Sequence, residues 1–502
     1  MTLPLWILIG LQMAMGAFDI LFHHELTERL AWRKSQRHEL QLHGVRNLFY
    51  AVIFAGLGFV QVYGVLALAV IAVLVAEVGI TLKDFVEEDR SRKLPASERV
   101  THTLLALNYG AILALLLPVL VGWVGQPVGI ATVNHGWWSV LCAVGGAGCL
   151  LFGVRDLAAA ARLGRMGERA AAGLIDPAAG PRTVLVTGGT GFIGGRLVAA
   201  LVGAGDRVIV LTRDAKGAME TLPAPVRLVT GLDQIGNDER IHAIVNLAGQ
   251  PVAGFLWTAQ YRRKVYRSRI RLTRQVIGLI ERLETKPDVL VSGSAIGVYG
   301  VSPTGAQREN SAIVEDGSFA QRLCLAWERE ARRAEGLARV RTVKLRIGLV
   351  LGTDGGPLSQ MLVPFEFGLG GQFGNGTHTM SWISRDDLVR LIGFAMANDR
   401  VRGPLNGTAP FPTDNRSFTQ ALGNALGRPA VLPAPRWALE ALGGDLAREI
   451  LLADQEVLPR AAIAAGFVFI DPELQPALDR LVGRPGGRQR PLLPHRVPPK
   501  TV

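Results

Sequence analysis

Five apolar runs, at about residues 3–22, 45–62, 64–82, 103–123 and 137–155, decide what the first third of this chain can be. Each approaches the roughly 20 residues that a helix needs to cross a bilayer. The stretch from Leu48 to Leu82 is too long for one span, and Gln61-Val62-Tyr63-Gly64 marks the hairpin that divides it. The first run lacks a basic start. Acids and histidines follow it where a small-residue cleavage site would stand, so it reads as a span and not as a cleaved leader.

The placement of Lys and Arg orients the spans. The loop from His23 to Gly44 carries Arg29, Arg33, Lys34 and Arg37, and the loop from Lys83 to His102 carries Lys83, Arg90, Arg92, Lys93 and Arg99. The N-terminus, the Tyr63 turn and residues 124–136 carry none. Both basic loops, and everything after Arg155, are therefore expected inside, with the N-terminus outside. This describes a multi-pass protein of a bacterial inner membrane, in contact with its lipids. Much of the net charge of +12 lies in those loops and in the last twenty residues, so it does not point to nucleic acid as a partner. Three cysteines, Cys142, Cys149 and Cys324, make no disulfide framework.

The inner loops concentrate unusual chemistry. His23, His24, His38, His43 and His102 are five of the nine histidines, and Asp19, Glu25, Glu28, Glu39, Glu77, Asp84, Glu87, Glu88 and Glu98 lie close by. Asp19/His23, Glu39/His43 and Glu98/His102 are each spaced i,i+4 and can share a helix face. Glu77 falls inside an apolar run, where a carboxylate is costly. His23, His43, Glu77 and His102 are the candidate metal ligands, of the donor types that helix bundles use for bound ions. The same residues also suit an interfacial charge network, or a haem or quinone site.

Residues 156–181 read as a short helix followed by a flexible joint ending at Asp176-Pro-Ala-Ala-Gly-Pro181. The pattern then changes to alternating strands and helices. Arg182–Thr187 is a β-branched run, followed by Gly188-Gly-Thr-Gly-Phe-Ile-Gly194 and an apolar helix. Gly188, Gly191 and Gly194, set between a strand and a helix, let backbone approach a pyrophosphate at the helix N-terminus. The second strand, Arg207–Thr212, ends at Arg213. An acid there would hold the ribose hydroxyls of NAD, whereas Arg213 can pair with a 2′-phosphate and favours NADP(H). Further strands at 242–246, 288–292 and 342–346, with helices at about 257–284 and 316–338 between them, make a Rossmann-like, doubly wound α/β sheet.

Several linked motifs then resemble one family. Thr187–Gly194, Asn246-Leu-Ala-Gly249 and Ser292-Gly-Ser-Ala-Ile-Gly-Val-Tyr-Gly300 are similar to an extended-type short-chain dehydrogenase/reductase. More narrowly, the chain resembles the YfcH-like "epimerase family" branch. The residues that carry this are Asn246–Gly254 with Trp257, Ser268-Arg269, Leu323–Glu328, Leu345–Gly352, Met380–Leu388, Asn406–Pro410 and Leu458–Arg460 through Gly466-Phe467. The resemblance covers about residues 182–482. It implies that Gly188, Thr190, Gly191, Phe192, Ile193 and Gly194 hold the phosphates, that Arg213 holds the 2′-phosphate, and that Ala248 and Gly249 line the dinucleotide. It places Ser294 at the family's active-site hydroxyl, and it implies a small C-terminal domain.

One departure bears on catalysis. The superfamily's Tyr-x-x-x-Lys pair, in which Lys lowers the Tyr pKa for proton transfer, is absent after Ser294. Counted back from Glu328, Ala320 takes the Tyr place and Cys324 the Lys place. Ser294, Tyr299, Cys324 and Glu328 are the candidate substitutes. Trp382 is expected to line the cleft and Asp387 to cap the helix after it.

The expected organisation is an all-α transmembrane domain over 1–155, a linker over 156–181, an NADP-binding domain over 182–410, a small C-terminal domain over 411–482, and a basic, proline-rich, disordered tail over 483–502. The expected activity is that of an NADP(H)-dependent oxidoreductase or epimerase on a small, lipidic substrate. The rivals are an NADP(H) sensor or scaffold without catalysis, and a membrane redox unit with a Glu/His metal site.

Overall fold

The computed structural model describes residues 1–485 apart from 93, 167–168, 179 and 253–256. It divides into two compact units, Met1–Met166 and Gly167–Val502. The tail from 486 onward, and Ala253 and Gly254 of the Asn246 motif, lie outside the described residues.

The first unit contains α1 (Leu3–Phe18), α2 (Arg37–Phe59), β1 (Val60–Tyr63), α3 (Val65–Ser91), α4 (Ala96–Val124), β2 (Gly129–Thr132) and α5 (Trp137–Arg165). Asp19–Thr27 continues α1 as a π-helix. Five helical stretches are long and apolar enough to cross a membrane: 3–32, 34–59, 65–91, 96–124 and 137–165. Their inward faces form a core of Leu5, Trp6, Ile9, Phe54, Leu116 and Leu120, while Leu107, Val75 and Leu151 point outward. α2 and α5 pack closely because small residues meet. A Cβ on Gly153 would stand 3.0 Å from the Gly44 carbonyl oxygen, and one on Gly58 would stand 2.6 Å from the Cys142 Cβ. The turn at Tyr63 is more than a hairpin, because β1 pairs antiparallel with β2, Val60 opposite Thr132 and Tyr63 opposite Gly129.

α5 runs on to Arg165, so the helix expected in the linker is the end of this one. Leu174 and Ile175 are buried in the core of the second unit, so the joint is in part built into that unit.

The second unit is built on β3 (Thr183–Thr187), α6 (Phe192–Gly203), β4 (Arg207–Leu211), α7 (Ala215–Thr221), β5 (Val226–Val229), β6 (Ala243–Asn246), α8 (Ala259–Arg282), β7 (Val289–Ala295), α9 (Phe319–Ala338) and β8 (Arg341–Ile347). β9 (Leu349–Leu351), α10 (Gly356–Glu366), β10 (Thr379–Met380), β11 (Trp382–Ser384), α11 (Arg385–Ala397) and β12 (Gly403–Gly407) complete the framework. Seven parallel strands stand in the order β12-β8-β7-β6-β3-β4-β5. Their β-branched and leucine residues are buried on both faces, as a covered parallel sheet requires. The strand order reverses between β3 and β6, which opens a crevice at their C-terminal ends. Helices at 415–426, 436–443, 460–464 and 474–482 follow. Ala462 and Phe467 join the core beneath the sheet, so 411–482 belongs to the same compact body.

Candidate functional site

The crevice is shaped by glycine. Gly188 leaves β3 with φ +73°, and a Cβ on it would lie 2.9 Å from the Ala248 backbone. A Cβ on Gly194 would lie 2.1 Å from the Gly188 carbonyl oxygen. Only glycine lets the turn fold back over the start of α6 and against the exit of β6. Thr187 ties the two strand ends together, since its Oγ1 donates to Asn246 Oδ1 at 2.8 Å and accepts the Ala248 N–H at 3.2 Å. Thr190 and Gly191 are exposed at the N-terminus of α6, with Phe192 and Ile193 half-buried behind them. This backbone cradle, aimed along a helix axis, fits a pyrophosphate. Arg213 is exposed just past the end of β4.

Gly249 has no room for a side chain, because a Cβ there would stand 2.7 Å from the Arg269 guanidinium carbon. Arg269 is buried on α8. It donates to the carbonyl oxygens of Gln250 (2.9 Å) and Val265 (3.3 Å) and lies 5.2 Å over the Trp327 ring. Burial lowers its pKa.

Deeper in the crevice a buried polar chain crosses β7, α9 and β8. The Ser294 hydroxyl donates to Glu328 Oε1 at 2.9 Å. Arg346 grips Glu328 in parallel, Nε to Oε1 at 2.8 Å and Nη2 to Oε2 at 3.0 Å. Arg346 Nη1 also donates to the Tyr299 hydroxyl at 2.9 Å, and that hydroxyl donates to Asn406 Oδ1 at 2.8 Å. Tyr299 is buried, which raises its pKa, and the Arg346 cation stacks on its ring at 4.9 Å. Cys324 lies beside Ser294 and Glu328, and burial pushes its thiol up to about 11. Ser294, Tyr299, Cys324 and Glu328 therefore meet in one neighbourhood. Arg346, which joins Glu328 to Tyr299, carries no signal of its own in the sequence beyond the Leu345–Gly352 motif.

Two expectations are corrected. Trp382 is fully buried, its indole N–H donating to the Phe411 carbonyl, and does not line the cleft. The cap of α11 is Ser384, whose hydroxyl accepts the Asp387 N–H, while Asp387 instead accepts the N–H groups of Ile470 (2.9 Å) and Asp471 (2.8 Å).

In the first unit the candidate metal ligands are divided. His102 joins Asp19, His24 and Glu98 in one group of convergent donors, and His43 joins Glu39 and Glu88 in another. His23 stands behind the first group, with Nδ1 on Asp19 Oδ1 at 2.8 Å. Glu77 belongs to neither group and accepts from Thr81 at 2.7 Å.

Comparison with known proteins agrees with the second unit. Residues 184–406 match the NAD dependent epimerase/dehydratase family, and residues 434–481 match a domain of unknown function, DUF1731. The chloroplastic SDR39U1 homolog of Arabidopsis thaliana is 41% identical over 293 residues, which is 57% of this chain and 83% of that protein. YfhF of Bacillus subtilis is 34% identical, over 60% of this chain and 97% of that protein. Human SDR39U1, solved with NADPH, superposes with a TM-score of 0.54 at 33% identity, covering 60% of this chain and 99% of that one.

Proposed function

The chain belongs to the NAD(P)-binding epimerase family that includes SDR39U1 and YfhF, and we propose that it is a membrane-anchored NADP(H)-dependent oxidoreductase or epimerase acting on a small, lipidic molecule. The observation that carries the cofactor is the Gly188–Gly194 turn seated on Ala248, a cradle that any Cβ at its two ends would fill. Human SDR39U1 in its NADPH-bound form supports the same reading.

When bound, NADP(H) supplies or accepts a hydride. The protein's part is to hold and orient. The N–H groups at the start of α6, around Thr190, Gly191, Phe192 and Ile193, would hold the pyrophosphate, and Arg213 would pair with the 2′-phosphate. Ala248 and Gly249 would line the dinucleotide. Ser294, its proton directed to Glu328, presents its oxygen to the substrate, and Arg346 fixes that direction. Ala320 and Cys324 leave no phenol–ammonium pair beside it.

The membrane tether is supported by five long apolar helices, by their outward-facing leucines and valines, and by basic loops between alternate helices. The second unit then lies in the cytoplasm of a bacterial cell.

The test is calorimetric titration of the full chain in detergent with NADPH and NADH, against the Arg213→Asp variant. NADPH should bind at least about tenfold more tightly than NADH, and the variant should remove the difference. Equal binding of both cofactors by both proteins would refute the assignment to Arg213. Resistance of the full chain to carbonate extraction from membranes tests the anchor.

A second reading is favoured by Tyr299, whose hydroxyl is already engaged by Arg346 and Asn406. It is a sensor that binds NADP(H) without turnover. It predicts that Ser294→Ala leaves cellular phenotype intact, where an enzyme would lose function.

A further inference from the structure

The first unit contains a group of four donors that no cofactor chemistry of the second unit uses. Asp19 and His24 come from the π-helical continuation of α1, and Glu98 and His102 from the first two turns of α4. All four side chains are buried, and one ligand atom of each lies within 4.8 Å of the others. His24 Nε2 is 3.5 Å from Asp19 Oδ2 and 3.7 Å from Glu98 Oε1, and His102 Nε2 is 3.1 Å from Asp19 Oδ2. Metal–ligand bonds of about 2.0–2.2 Å at tetrahedral angles put neighbouring ligand atoms roughly 3.4 Å apart, so these separations suit an ion at their centre.

His24 supplies an independent observation. Its residue is 4% exposed, and its Nε2 finds no hydrogen-bond partner although two carboxylates stand before it. A buried polar atom without a partner is costly, and the cost goes if it ligates an ion. Its ring also stacks face to face on His43, centroids 4.5 Å apart with the planes 10° from parallel.

Charge points the same way. Asp19, Glu39, Asp84, Glu88 and Glu98 are all buried here, and the guanidiniums that pair with them are those of Arg46 and Arg92. Among the described residues, the negative charge that these leave is met by imidazolium protons or by a bound cation. The ligands are also held from behind as metal ligands usually are. His23 Nδ1 holds the second oxygen of Asp19 at 2.8 Å, Glu88 Oε2 holds His102 Nδ1 at 3.2 Å, and Arg92 holds Glu98 through two contacts of 2.6 and 2.8 Å.

We propose that Asp19, His24, Glu98 and His102 form a binding site for one divalent first-row transition-metal ion. Two imidazole nitrogens and two carboxylate oxygens favour zinc, iron or manganese over magnesium or calcium, which prefer oxygen alone. Asp19 and His102 also border a mainly apolar cavity of about 480 Å³, with Gln12, Arg46, Tyr50 and Tyr109 among its polar lining. The proposal is independent of the nucleotide reading, since none of its residues belongs to the second unit.

The test uses the full chain purified in detergent. Elemental analysis should find about one zinc, iron or manganese per chain, and His24→Ala should reduce this to below about a tenth. His38→Ala, outside both groups of donors, should retain it. The chelated wild-type protein, titrated with Co²⁺, should develop the visible ligand-field bands of a tetrahedral site and unfold at a higher temperature. This arm does not depend on any variant folding. Substoichiometric metal together with no Co²⁺ band in the wild type would overturn the site. So would unchanged metal in a His24→Ala/His102→Ala double variant, or loss in His43→Ala alone, which would move the ion to the other group.

Discussion

Glu328 and Arg346 form a bidentate ion pair at the base of the crevice, with contacts of 2.8 and 3.0 Å, both side chains buried. Because Ser294 and Tyr299 both bond to members of this pair, it sets the orientation of both hydroxyls. Removing one partner strands the other charge. Glu328→Ala should destabilise the second unit by about 3–5 kcal/mol. Ser294→Ala, which removes a single hydrogen bond to a charged group, should cost about 1.5–3 kcal/mol. Urea unfolding of the full chain checks both, and equal costs would show that the pair is not the organising element.

The glycine turn predicts a sharp contrast between adjacent residues. Gly194→Ala forces a Cβ to 2.1 Å from the Gly188 carbonyl, whereas Gly195→Ala meets only ordinary contact at 3.5 Å from Gly189. Overpacking of the first kind costs about 1–3 kcal/mol. NADPH affinity should therefore fall by about ten- to a hundredfold in Gly194→Ala and remain within about twofold in Gly195→Ala, read by calorimetry.

Arg269 is a buried cation whose hydrogen bonds go to carbonyl oxygens and not, among the described residues, to a carboxylate. It stands against Gly249, on the proposed path of an anionic cofactor. Arg269→Met keeps the stem on Trp327 and deletes the charge. It should weaken NADPH binding about tenfold, with a smaller loss for a neutral adenosine fragment. Equal losses for the two ligands would make the residue structural only.

Cys324 gives a pH prediction. Burial, with Glu328 nearby, disfavours the thiolate and places the thiol at about 11. At pH 8 roughly a thousandth is ionised, and that fraction rises about tenfold per pH unit until pH approaches the thiol's own value. Cys324 should resist alkylation of the native full chain at neutral pH, with labelling that climbs as pH rises, followed by mass spectrometry of its peptide. Rapid labelling at pH 7 would restore it as a nucleophile.

What the sequence made readable was local. The turn from Thr187 to Gly194 is contiguous, and its glycines announce both the bend and the helix that follows. The pair Asp19 and His23, expected from i,i+4 spacing, is bonded at 2.8 Å. His24 was not singled out as a ligand, because in an α-helix the next residue points about 100° away. The π-helix over 19–27 brings both histidines inside. Glu328 was recognised as a candidate, but its grip by Arg346 joins a helix to a strand and no local pattern records it. At the sheet's edges, β12 (Gly403-Pro-Leu-Asn-Gly407) has no β-branched residue to mark a strand, and β5 (Val226-Arg-Leu-Val229) is interrupted by an arginine. The strand at 60–63 looked like a turn, since its partner at 129–132 lies beyond two helices. Asp387 failed as a cap because Ser384 stood three residues earlier and its own carboxylate was claimed by residues 470 and 471.

The π-helix at Asp19–Thr27 has a consequence for how this protein can change over time. A wider turn holds its shape by count: one residue fewer restores the tighter repeat and swings everything before it by about 100°. Leu21, Phe22 and Leu26 point away from the bundle and can be exchanged for other apolar residues at little expense. A single-residue deletion among them would carry Asp19 out of reach of His102. Drift in this stretch is therefore free in spelling and fixed in length.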